Sequence, residues 1–111
     1  MKHLRMDGVY YYHAEDKDLY FGYQFRESGV LSFACKTLES EAIRRALRHP
    51  ARGSYLPKGK VRLKIAFSRD TTIYATIKPE DDTLDVVITT DYGDQLSERR
   101  IYRFLPLDDN A

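Results

Sequence analysis

Three histidines, one cysteine and the adjacent aspartates Asp81 and Asp82 are the side chains of this sequence best suited to proton transfer, nucleophilic attack or metal binding. Their spacing gives them little to do together. His3, His13 and His49 fall on a terminal segment, an aromatic strand and a turn after a helix, so no two share an element as metal ligands do, and no zinc signature is present. Asp81 and Asp82 offer oxygens for a cation or an acid–base pair, yet adjacent carboxylates in the turn Pro79-Glu80-Asp81-Asp82 read first as a solvated turn. Cys35 and His13 would make a nucleophile and its base only if the fold joined them. Gly53 and Gly59 flank strand-forming residues, and Lys58-Gly59-Lys60 is a turn rather than a phosphate loop. No residue set reads as catalytic, and no cofactor is expected.

Tyrosine carries more information, with nine in the chain. A tyrosine buries an apolar ring and offers a hydroxyl that needs a partner, which suits pocket linings and protein interfaces alike. His13 lies inside this aromatic register, as a hydrogen-bonded structural histidine or as a group facing a ligand.

The elements that must position these side chains are mostly strands. Tyr10, Tyr11 and Tyr12 favour an extended strand over 8–14. After the polar turn at 15–18, Leu19, Phe21, Tyr23 and Phe25 alternate with Tyr20, Gly22, Gln24 and Arg26, which puts the first set on one face, toward the core. Glu27-Ser28-Gly29 connects this strand to another over 30–36, where Leu31, Phe33 and Cys35 share a face. Thr37 is the expected cap of a helix over 38–48, with Ala42, Ile43, Ala46 and Leu47 as its apolar stripe and Pro50 beyond its end. Its acids, Glu39 and Glu41, come first and Arg44, Arg45 and Arg48 last, as the helix dipole favours. Strands then recur over 53–56, 61–68, 73–78, 84–89 and 98–105, with a loop at 91–95 and a frayed tail at 108–111. Phe21, Phe25, Phe33, Leu63, Ile65, Phe67, Leu84, Val86 and Ile88 are expected to share one interior.

A chain of 111 residues suits one domain, 1–111, with a single core. No apolar run approaches the roughly 20 residues a membrane helix needs, so no membrane partner is expected. The residues after Met1 form no apolar signal core, which places the protein in the cytoplasm. With Cys35 the only cysteine, no internal disulfide holds the fold, and Cys35 reads as a small buried hydrophobe. Net charge is +1, but its distribution is uneven: 36–64 is rich in Lys and Arg, whereas 80–98 contains acids and no Lys or Arg. Such blocks mark a polyanion site or, more simply, complementary faces and solvated surface. Near-zero net charge and the acidic last third weigh against nucleic acid, despite tyrosines beside the basic stretch.

Short strands about ten residues apart, each with one apolar face, argue for an antiparallel up-and-down β-barrel of about eight strands with one helix between the third and fourth. Closure would also remove the exposed edges of an open sheet. On Gly8-Val9-Tyr10, Tyr23-Gln24-Phe25-Arg26-Glu27-Ser28-Gly29-Val30, Gly53-Ser54-Tyr55 and Asp82-Thr83-Leu84-Asp85-Val86 the chain resembles the lipocalin-like, or calycin-like, small β-barrels. That resemblance implies a barrel that holds an apolar or aromatic small molecule inside it or at its mouth. It also implies that Tyr10 takes the place of the family's floor-plugging tryptophan, with Arg100 or Arg103 as its basic partner. The residues expected to line the site are Tyr11, His13, Tyr23, Phe25 and Phe33. The alternative is a protein-interaction or homodimeric module whose barrel is filled by its own side chains.

Overall fold

Two turns of the same design set the ends of two hairpins. In 15–18 and 79–82 a four-residue connection ends on an aspartate in the left-handed region, Asp18 at φ 50° and Asp82 at φ 55°. Short polar side chains tolerate that conformation best, which gives the acidic turn at 79–82 a conformational reason. The tighter hairpin at Glu27-Ser28 closes on the pair Arg26 and Gly29. Gly29 has φ 153°, and a Cβ there would lie 2.6 Å from the Gly53 carbonyl oxygen, so only glycine fits where the two strands approach.

The computed structural model describes residues 2–69, 71–90 and 96–107; the expected loop at 91–95 and tail at 108–111 lie outside them. The order is β1 (Gly8–Ala14), β2 (Leu19–Arg26), β3 (Gly29–Cys35), α1 (Ser40–Ala46), β4 (Ala51–Pro57), β5 (Arg62–Ala66), β6 (Thr71–Lys78), β7 (Thr83–Thr90) and β8 (Leu96–Pro106). Each strand pairs antiparallel with the next, and β1 pairs with β8 to close an eight-stranded barrel. The expected architecture is therefore present. No helix among the described residues is long and apolar enough to cross a membrane.

Period-two alternation fills the interior. Tyr10, Tyr23, Phe25, Leu63, Ile65, Leu84, Val86 and Tyr102 are buried in one cluster, with Phe67 and Ile88 partly buried against it. A second, smaller cluster lies outside the barrel, where Ile43 of α1 covers Val9 and Phe33, flanked by Cys35, Leu38 and Leu105. This corrects the expectation for Phe33. It pairs with Gly22, on the opposite face of β3 from Val30, and its ring lies where a Gly22 side chain would be. The larger apolar set of β3 faces outward because α1 provides the cover there.

The helix is also shorter than its pattern predicts. Its first bond runs from the Ile43 N–H to the Glu39 carbonyl, and Glu39, not Thr37, holds the cap position without a side-chain bond. Leu38 joins the outer cluster, so the chain stays extended until it has docked. At the other end the Arg48 and His49 N–H groups donate three residues back, tightening the final turn before Pro50.

Candidate functional site

The two ends of the barrel differ in chemistry. At the base, Tyr10 is buried edge-on to Phe25 and Phe104, at ring separations of 5.8 and 5.1 Å. Its hydroxyl accepts the Arg5 backbone N–H at 3.2 Å, while the Arg5 guanidinium lies 3.9 Å from the Phe104 ring centre and bonds Asp7 and Asp82. The basic partner at the barrel floor is thus Arg5, from the segment before β1, and not Arg100 or Arg103. Burial raises the Tyr10 phenol above its ordinary range, and the Arg5 N–H only partly offsets that. With Leu4 buried beside it, this end is closed.

The opposite end is a mouth lined by rings around one inward cation. Arg100 points inward in the register that also places Tyr102 and Phe104 inside. Its guanidinium lies 5.1 Å from the Tyr12 ring centre and 5.6 Å from that of Phe21, and it donates two 3.1 Å bonds to Glu98. Burial works against its charge, but the Glu98 carboxylate and the Tyr102 hydroxyl outweigh it and hold the proton more firmly than usual. Deeper in, Tyr23 packs 4.9 Å from Tyr102 and 6.0 Å from Phe67. Burial first, then Tyr102, pushes its phenol well above the ordinary range, so it stays neutral while the barrel is folded.

Two recesses open where the ladders of this barrel stop short. Between β3 and β4 only Val30, Leu31 and Ser32 are paired. Past Ser32, β3 faces α1 instead, and a recess of about 540 Å³ opens between Phe21, Ser32, Phe33 and Ala34 on one side and Arg45 and His49 on the other. Between β1 and β8 pairing stops at Tyr11 and Arg103. Beyond it a recess of about 300 Å³ is lined by Tyr11, His13, Tyr20, Leu38, Ile101 and Arg103. There the His13 ring stacks on Tyr20 at 4.5 Å and its Nε2 lies 3.3 Å from Asp18.

The five expected site residues therefore occupy three places. Tyr23 and Phe25 belong to the packed interior, Tyr11 and His13 to the recess at the β1–β8 seam, and Phe33 to the recess under α1. Cys35 and His13 are not joined. Both lie in one cross-strand row with Tyr20 between them, two strand spacings or about 10 Å apart. Burial raises the Cys35 thiol, only partly offset by the Thr37 backbone, which suits a structural thiol rather than a nucleophile. Sequence reasoning missed Phe21, Ser32, Arg45 and His49 as a group, because it is the broken β3–β4 ladder that brings them together. Arg100 was missed as a residue of the mouth; the signal that could have found it is its alternation with Tyr102 and Phe104, since a charge in the apolar phase of a strand marks a mouth or a site. Asp82, Asp85 and Glu98 of the acidic segment take their partners from Arg5, Arg99 and Arg100.

No protein-family model matches the chain, and no curated protein or solved structure is significantly similar to it.

Proposed function

We propose that the chain is a binding module for a small aromatic or apolar molecule bearing an acidic group, held at the mouth of the barrel rather than inside it. The carrying observation is the recess under α1. Its floor is apolar, from Phe21, Phe33, Ala34 and Ala46, and its rim presents the Ser32 hydroxyl, the Arg45 guanidinium and the His49 ring. Its volume, about 540 Å³, falls within the range of small-molecule sites, which combine apolar walls with a few polar groups that fix orientation. Arg45 belongs to no ion pair among the described residues, so its guanidinium is available to a carboxylate. The interior is occupied by its own side chains, which moves the ligand of a lipocalin-like reading outward to this end. The resemblance to lipocalin-like barrels and the closed eight-stranded architecture support the same reading.

The test is a titration of the isotope-labelled protein with 2-naphthoate, followed by amide shifts. Saturable shifts at Phe21, Ala34 and Ala46, weakened at least about tenfold in Arg45→Glu, are expected. Shifts that map to another face, or binding indifferent to Arg45→Glu, would remove this site from consideration.

A further inference from the structure

Among the described residues, five large hydrophobic side chains are exposed, and four of them lie on one outer face of the barrel: Leu56 at 56%, Tyr74 at 50%, Ile101 at 44% and Val87 at 36%. The ladder places three of these in a single cross-strand row, Leu56, Lys64, Tyr74, Val87 and Arg99, one residue from each of β4 to β8. At about 4.8 Å per strand the row runs about 19 Å around the barrel. Ile101 stands next to it, two residues along β8 from Arg99 and opposite Asp85. Exposed hydrophobics scattered singly need no explanation, but Tyr74 and Val87 side by side, with Leu56 and Ile101 on the same face, do.

The charges around the row choose its occupant. Arg99 is tied to Asp85 by two bonds, of 2.9 and 2.6 Å, and so is neutralised within the face. Arg62 and Lys64 on β5 have no ion-pair partner among the described residues, which leaves the face positive. A second copy of the chain fits poorly. A two-fold axis across the strands sets β5 against β5 and doubles the positive charge there, and one along the strands brings no free carboxylate to Arg62 or Lys64, because the row carries none and Asp85 is already bonded to Arg99. Nucleic acid would meet the charge, but Tyr74 is the one ring of the row, and Leu56, Val87 and Ile101 give successive bases nothing further to stack on.

The molecule also displays how such a face is covered. On the other side of the barrel α1 lies over the outer surface of β1 and β3 and places Ile43 on Val9 and Phe33. Nothing among the described residues does this for β5–β8. We propose that the outer face of β5–β8 docks a partner protein through an amphipathic helix whose apolar side covers Tyr74, Val87 and Ile101 and whose flanks carry carboxylates for Arg62 and Lys64.

The experiment uses the full chain, labelled for amide detection, and two synthetic amphipathic helical peptides with the same leucine face, one with glutamate flanks and one with lysine flanks. The glutamate peptide is expected to shift the amides of Lys64, Tyr74, Val87 and Ile101 saturably, with binding that weakens as salt rises. Lys64→Glu and Tyr74→Ser together should cost at least about tenfold in affinity while leaving the melting temperature of the free protein unchanged. Equal binding of the lysine peptide, or no saturable shift on this face, overturns the proposal. So does a dimer by sedimentation that Tyr74→Ser dissolves, or shifts at the same residues on adding oligothymidine, because either names a different occupant.

Discussion

The outer surface of the barrel has two sides that carry similar residues and meet different fates. On the β1–β3 side, Val9, Phe33 and Leu105 sit beneath α1, and Val9 and Ile43 are fully buried. On the β5–β8 side, Tyr74, Val87 and Ile101 stand at least a third exposed. Strand alternation places both sets outward, so apolar character alone does not decide burial in a closed barrel. The connection does: the long β3–β4 link folds as a helix over its own side, whereas the links from β4 to β7 are short turns that cover nothing. The apolar residues on the helix side contribute to stability. Those on the bare side are free to contribute to recognition.

Interior residues set the scale against which the two sides are measured. Ile65 is fully buried in the shared core, and Ile65→Asp should prevent folding, since an unpaired buried carboxylate costs more than the few kcal/mol of stability a domain of this size has, ~5–10 kcal/mol. A soluble Ile65→Asp protein that melts cooperatively would show the strand faces to be reversed. The next largest effect separates the two sides directly. Phe33→Ala should destabilise by about 3 kcal/mol in urea unfolding, and Tyr74→Ser by under about 0.5 kcal/mol. Equal losses would break the comparison.

Gly22→Ala sharpens it. A Cβ at Gly22 would lie 2.3 Å from the Phe33 ring and 2.8 Å from the Tyr10 carbonyl oxygen, so a loss of about 1–3 kcal/mol is expected. Combining Gly22→Ala with Phe33→Ala should recover part of that loss, because the ring is one of the two obstacles; strict additivity of the two changes would place the ring elsewhere. The smallest effect belongs to the bare side. The Arg99 guanidinium, bonded to Asp85, holds that carboxyl below its ordinary range. The unfolded chain then binds the proton more readily, so this contribution to stability is present above about pH 4 and is lost as pH falls through the folded-state value. Asp85→Asn should flatten the acid limb of the stability profile slightly, with no change near neutrality in its pH slope. An unchanged acid limb would show the pair to be screened by solvent, as exposed pairs usually are.

Most of the barrel was legible from period-two alternation and turn residues, because each strand needs only its neighbours to define its faces. β2 shows this well, with Tyr23 and Phe25 inside as expected. β3 shows the limit. Its two phases, Val30-Ser32-Ala34 and Leu31-Phe33-Cys35, are both compatible with burial, and the choice between them depends on where α1 lands, which is a tertiary matter. The site was less legible for the same reason. Phe21 and Arg45 are far apart in sequence and meet only because the β3–β4 ladder ends after Ser32. Arg5 as the partner of Tyr10 was invisible as well, since a segment before the first strand carries no periodicity of its own.

The pairing of β1 with β8 has a consequence in time. The first strand finds its second neighbour only in the last one, so no partial product of synthesis can close the barrel, and until β8 emerges β1 and β7 each present an unsatisfied edge. Such long-range closure slows folding to the range of milliseconds to seconds typical of β topologies. The growing chain therefore passes through its most association-prone form just before β8 emerges. The Arg5 guanidinium of the segment 2–7 has its ring partner, Phe104, in β8, so that contact too must await the closing strand.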